Sequence, residues 1–172
     1  METNLINNYV LKAIDAYPYE LEEVAQNLQY ALSHNQQNAY ALYLMGKLYA
    51  EQFADYEMAK EYFAEALSAK INFPQLYPSY INTLLDNEDF EEAKKLIAFA
   101  FSVKGVNKPQ VYRLLALKHE KCNEYPKAIK AIKKAKQNCS QSSFIIQLDE
   151  DLERIKNKVK PKAKNLKTNS RK

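Results

Sequence analysis

The sequence predicts an all-α chain: about four helical hairpins stacked into an α-solenoid, with one further helix covering the last. Two features of composition and one of pattern point there. Glycine is very scarce, two residues in 172. Sheet-rich folds need more of it, because tight turns with positive φ favour a residue without a Cβ. Nearly half the chain, 47%, is hydrophobic, with much Ala, Leu, Lys and Glu, the good helix formers. A set of aromatic, small and large residues also recurs at a fixed interval, the mark of a repeat architecture.

The interval is clearest from Tyr56, Ala59, Phe63 and Ala66. The same four columns return as Phe90, Ala93, Ile97 and Ala100, and again as Tyr125, Ala128, Ile132 and Ala135, spaced by 34 and then 35 residues. A fainter copy, Leu21, Val24, Leu28 and Ala31, stands 35 residues upstream of the first set. The chain therefore holds four units, the first degenerate. Another helical pattern precedes each set: Leu42, Met45, Gly46 and Tyr49, then Tyr77, Tyr80, Ile81 and Leu84, then Tyr112, Leu115, Ala116 and His119. The small columns mark close crossings between the two helices of a unit, and the large columns fill the gap to the next. A lone unit cannot bury both faces, so several must stack.

A large residue, Leu, Gly and Tyr, followed by Ala, an aromatic and Ala, resembles the signature of the tetratricopeptide repeat, a helix–turn–helix unit of about 34 residues. The unit at 39–71 resembles it well; the next two depart at Ile81, in a small-residue column, and at His119, in an aromatic one. The resemblance covers about residues 3–138. It implies a right-handed superhelix whose concave face, built from the first helix of each unit, binds a protein or peptide.

The expected units are 3–37, 38–72, 73–107 and 108–140, with a capping helix at 142–159 and a domain spanning 1–158. Within them helices are expected at 3–16, 19–33, 38–51, 55–69, 75–86, 89–102, 108–121 and 125–138. Pro18, Pro74, Pro109 and Pro126 suit first turns, where a missing N–H costs little; Pro78 must delay or bend its helix. In the capping helix Phe144, Leu148, Leu152, Ile155 and Val159 form one apolar stripe, leaving Asp149, Glu150, Asp151, Glu153 and Arg154 to water.

Catalysis finds little support in the residues. His34 falls in an interhelix loop, and His119 sits in a packing column filled elsewhere by Tyr49 and Leu84. No nucleophile stands at a suggestive spacing from a base, and Gly46 and Gly105 make no phosphate loop. The expectation is a non-enzyme without cofactor or metal. Cys122 and Cys139 form no paired-thiol motif and are expected reduced. Without a basic and apolar leader or a run of about 18 apolar residues, the chain reads as cytoplasmic, without a membrane role, as a monomer or homodimer.

Along the expected concave face, the groove candidates are Tyr40, Tyr43, Lys47, Asn82 and Arg113. The chain has 13 tyrosines, and tyrosine gives rigid contact area with a polar tip. Some members of the family grip a carboxylate with two Lys, two Asn and one Arg. Here Tyr43 occupies one Lys position and Leu117 fills another groove slot, so such a clamp is not expected. Finally, residues 156–172 carry eight cations and no acid, leaving 1–155 with a net charge of −4. The tail at 159–172 reads as disordered and solvated. Alternatively Lys158, Lys160, Lys162, Lys164 and Lys167 contact RNA, DNA or an acidic partner without reading sequence.

Overall fold

In the computed structural model, residues 7–159 are described, and among them every regular element is helical. The helices are α1 (Asn8–Ala16), α2 (Leu21–His34), α3 (Ala39–Leu48), α4 (Tyr56–Ala69), α5 (Leu76–Asp86), α6 (Phe90–Ala100), α7 (Lys108–Lys121), α8 (Tyr125–Gln137) and α9 (Ser142–Val159). They pair as hairpins α1–α2, α3–α4, α5–α6 and α7–α8, and α9 packs on α8. The described residues thus form an all-α solenoid of four hairpins with a terminal helix. The expected residues 3–6 of the first helix and everything past 159, including Lys160, Lys162, Lys164 and Lys167, lie outside the described residues.

Local chemistry explains the boundaries. Asn7, Asn38 and Asn107 each accept a hydrogen bond from the backbone N–H three residues on, so α1, α3 and α7 begin with side-chain caps. Asp55 does the same for α4. Pro109 and Pro126 are the second residues of α7 and α8, whereas Pro18 and Pro74 precede α2 and α5. Pro78 delays its helix: α5 starts at Leu76, which makes Pro78 its third residue, where an N–H would have no intrahelical partner.

Beyond Leu48 the chain continues as a π-helical turn, Tyr49–Phe53, and reaches α4 through Ala54, at φ 52°. The corresponding turns use Glu88 at φ 62° and Asn123 at φ 58°. Ala54, Glu88 and Asn123 are spaced by 34 and 35, so the left-handed turn belongs to the repeat. Scarce glycine therefore does not mean that such turns are absent; two of these three are made by residues for which the conformation carries a steric cost.

The core is built where the two helices of a unit cross. Ala59, Ala93 and Ala128 are fully buried, as are Ala66, Ala100 and Ala135. Against them stand paired columns: Gly46 with Phe63, Ile81 with Ile97, and Ala116 with Ile132, all buried. At Gly46 an added Cβ would sit 2.7 Å from the Phe63 ring, so only glycine admits that ring. In the third unit the A-helix residue is the large Ile81 and the B-helix residue is smaller than Phe. The pair is bulkier in sum than Gly with Phe or Ala with Ile, and α5 and α6 touch less extensively than α3 with α4 or α7 with α8. Between units, Tyr40 and Tyr43 pack on Phe73 with centroids 4.6 and 5.2 Å away.

Replacing Gly46 by Ala should lower unfolding free energy by about 1 kcal/mol: overpacking costs about 1–3 kcal/mol, and better helix propensity returns up to about 1. In urea titrations, the pair Gly46→Ala with Phe63→Leu should be less destabilised than the two single changes added together. Ala54→Gly should move the other way, raising stability by about 0.5–1 kcal/mol by relieving the left-handed turn, read from the same titration.

Candidate functional site

The inner helices α5 and α7 form the floor of a groove of about 550 Å³. Helical spacing sends Ser79, Asn82 and Asp86 from α5 into it, and Gln110, Arg113 and Glu120 from α7. A second hollow of about 370 Å³ holds Tyr43, Gln75 and Asn107, and shares Pro78, Ser79 and Gln110 with the first. Together they make one trough across the units. Its lining mixes polar and apolar side chains, Asn82 with Leu114 and Leu117 among them.

One end of the trough is built by α9. Arg113 Nε donates to Asp151 Oδ2 at 2.6 Å, and its Nη1 donates to Gln147 at 3.1 Å. The Arg113 guanidinium also lies 5.7 Å from the Phe144 ring centroid. Arg154 donates to Asp151 at 2.8 Å and to Glu120 as well. Lys158 Nζ stands 2.7 Å from the same Glu120 Oε1. Glu120 is almost fully enclosed, its side chain 3% exposed, and among the described residues its Oε2 has no hydrogen-bond partner. A buried carboxylate oxygen without a donor costs free energy. Here that oxygen belongs to a residue lining the groove.

Glu120 has counterparts. Glu51 and Asp86 precede it by two and one repeat intervals, and all three line the groove. Lys47 approaches Glu51 at 3.6 Å and Lys121 approaches Asp86 at 3.5 Å, loose ion pairs at a wet rim. Glu51 also accepts a hydrogen bond from the Tyr17 hydroxyl. Burial and that carboxylate push the Tyr17 phenol up to about 12.

The expected groove residues divide. Asn82 and Arg113 line the main groove, and Tyr43 lines the adjoining hollow, its hydroxyl 3.4 Å from Ser79 Oγ. Tyr40 lies at the junction with Phe73, with Lys70 5.8 Å from its ring. Lys47 points toward the first unit, 5.1 Å over the Tyr17 ring. Of the tail candidates only Lys158 is described, and it faces Glu120 rather than standing free.

Asp151 and Arg154 were not legible as groove residues, because their acid-rich stretch reads as a solvated face. Asp151, its side chain 14% exposed, is instead sandwiched against α7. The available signal is register: 148, 151 and 155 fall on one side of a helix, so Asp151 borders the buried pair Leu148 and Ile155.

Neither histidine joins a catalytic set. His34 is the exposed last residue of α2, stacked on Tyr9 at 5.7 Å. His119 is no purely apolar core residue: its Nδ1 lies 2.6 Å from Glu124 Oε2. Among the described residues no group of three or more His, Cys, Asp or Glu is placed to hold a metal, and no helix is long and apolar enough to cross a membrane. Cys122 and Cys139 are free thiols.

No family model and no curated protein sequence matches the chain, but solved structures do. Residues 41 to the end of MamA from Desulfovibrio magneticus RS-1 match with a TM-score of 0.73 at 19% identity, over 92% of this chain and 88% of that one. PilF of Pseudomonas aeruginosa matches with a TM-score of 0.73 at 17% identity, over 88% of this chain and 69% of that one. A thermophilic TPR protein of Thermus thermophilus matches at 0.53 and 11% identity, over 87% and 98%. The chain therefore has the tetratricopeptide-repeat fold, a right-handed α-solenoid.

The α7–α9 region should be acid-sensitive. Hydrogen bonds from Lys127 and His119 hold the Glu124 carboxyl down at about 2, against an ordinary 4.5. Burial pushes the Asp151 carboxyl up, but hydrogen bonds from Arg113 and Arg154 outweigh it and leave it below the ordinary range. Groups with depressed folded values stabilise the fold above their unfolded value, and that stabilisation is lost as pH falls from about 4.5 toward about 2. Melting temperature should drop more steeply across that window in the unaltered chain than in Glu124→Gln or Asp151→Asn; parallel curves would refute the assignment.

Proposed function

We propose that this chain is a binding module, not a catalyst, and that an extended peptide segment of a partner protein lies in the trough between α3, α5, α7 and α9. The observation that carries this reading is the buried, half-satisfied Glu120 carboxylate at the end of a groove already lined by hydrogen-bonding side chains. Buried polar atoms in folded proteins nearly always have a partner. A donor supplied by a ligand, such as a backbone amide or a lysine ammonium, would complete the set. Ser79, Asn82 and Gln110 provide further amide and hydroxyl groups along the floor, matched to the peptide backbone in type. Tyr43 offers the aromatic contact that interfaces favour. The tetratricopeptide fold suits the role, since stacked hairpins present an extended concave surface.

Selection of a phage-displayed random peptide library against the full chain tests the reading. Selected peptides should lose about tenfold or more in affinity with Tyr43→Ala and with Glu120→Gln, consistent with hot-spot losses above about 1 kcal/mol. Equal binding by both variants, each checked for an unchanged circular dichroism spectrum, would remove the groove from consideration.

A further inference from the structure

Charge is distributed along the solenoid unit by unit. Residues 3–107 carry 14 Asp and Glu against seven Lys and Arg, whereas residues 108–140 carry nine Lys and Arg against two acids. The reversal falls at one hairpin, α7–α8, and most of it falls on one helix. α8 holds Lys127, Lys130, Lys133, Lys134 and Lys136 and contains no acid. Its buried side is Ala128, Ala131, Ile132 and Ala135, so helical geometry turns Lys130 and Lys133 directly outward, with Lys127 and Lys134 beside them. All four are exposed.

Internal pairing does not account for this row. Lys127 is held by Glu124 at 2.5 Å and Lys136 by Asp149 at 2.6 Å, while Lys134 lies 5.8 Å from the Tyr112 ring centroid. Among the described residues neither Lys130 nor Lys133 has an ion-pair or hydrogen-bond partner. Neighbouring like charges on a helix repel. Lys130, Lys133 and Lys134 therefore repel one another across a single turn, with no acid on α8 between them.

We propose that the outer face of α8, centred on Lys130, Lys133 and Lys134, binds the phosphodiester backbone of a nucleic acid without reading its sequence. Three properties select this ligand class. The row is linear, with neighbours three and four residues apart and about 5–6 Å between Cβ atoms, which suits a linear array of phosphates. It lacks large apolar residues on its outer side, so it offers nothing to insert into a bilayer, as an interfacial helix would. It is lysine without arginine or tryptophan anchors, and protein interfaces are depleted in lysine. The face lies opposite the groove, so this inference is independent of the peptide-binding proposal. It is also distinct from the tail: Lys160, Lys162, Lys164 and Lys167 follow α9 and are separated from α8 by variants.

The test is fluorescence anisotropy of a labelled oligouridine of about 20 nucleotides against the full chain over a salt series. Compared are the unaltered protein, Lys130→Gln/Lys133→Gln/Lys134→Gln, and Lys160→Gln/Lys162→Gln/Lys164→Gln/Lys167→Gln. Glutamine keeps helix propensity close to that of lysine, and circular dichroism with a thermal melt confirms folding. The α8 variant should bind about tenfold more weakly, and its log–log salt slope should be shallower by about 2, as each of three lost contacts to a single strand lowers it by about 0.7. Affinity that follows the tail variant alone, with the α8 variant unchanged, overturns the proposal. So does equal binding to polyglutamate, or preferential binding to vesicles containing phosphatidylserine, because either outcome assigns the face to another partner.

Discussion

Everything in this molecule depends on the crossing between the two helices of each hairpin. At Gly46 the crossing admits the Phe63 ring only because no Cβ stands in its way. The three crossings are not equal in volume: Gly with Phe and Ala with Ile nearly match, whereas Ile with Ile is bulkier, and it is the bulkier crossing whose helices, α5 and α6, touch less extensively. Because the crossing sets the angle within a unit, it also sets where the first helix of the next unit falls. The trough is the cumulative result, its floor assembled from helices that are not adjacent in sequence.

The architecture was legible because repetition multiplies weak signals. No single alanine identifies a helix crossing, but Ala59, Ala93 and Ala128 at a common interval do, and all three are fully buried. Helix limits were legible to within a few residues wherever a cap or proline stood near them. The π-helical turn after Leu48 and the left-handed turns at Ala54, Glu88 and Asn123 were not, because Ala and Glu carry no local preference for such backbone. The composition argument from scarce glycine went too far for the same reason: tertiary packing imposed φ values that propensity disfavours.

The groove was legible in outline and hidden in detail. Register along α5 and α7 places Asn82 and Arg113 on the inner stripe, and they are found there. What register within one unit does not convey is the neighbour. Arg113 reads as a free cation until α9 brings Asp151 and Gln147 to it across an interval of more than 30 residues. The same holds for Tyr40 and Lys47, whose ring and charge are claimed by Phe73 and by Tyr17. The terminal helix thus does two things: it covers the apolar side of α8 with Leu148 and Ile155, and it supplies polar groups to a surface that the repeats begin.

The in-register carboxylates carry a consequence of their own. Asp86 ends α5, Glu120 is next to last in α7, and Glu51 sits in the turn that prolongs α3. All three therefore stand at the negative pole of a helix macrodipole, where an anion is disfavoured by about 0.3–1 kcal/mol. Lys47, Lys121 and the pair Arg154 and Lys158 each approach one of them, as counter-charges to an arrangement that helix electrostatics alone would reject. The concave rim thus carries an electrostatic tension of its own, kept at the same position by three successive units.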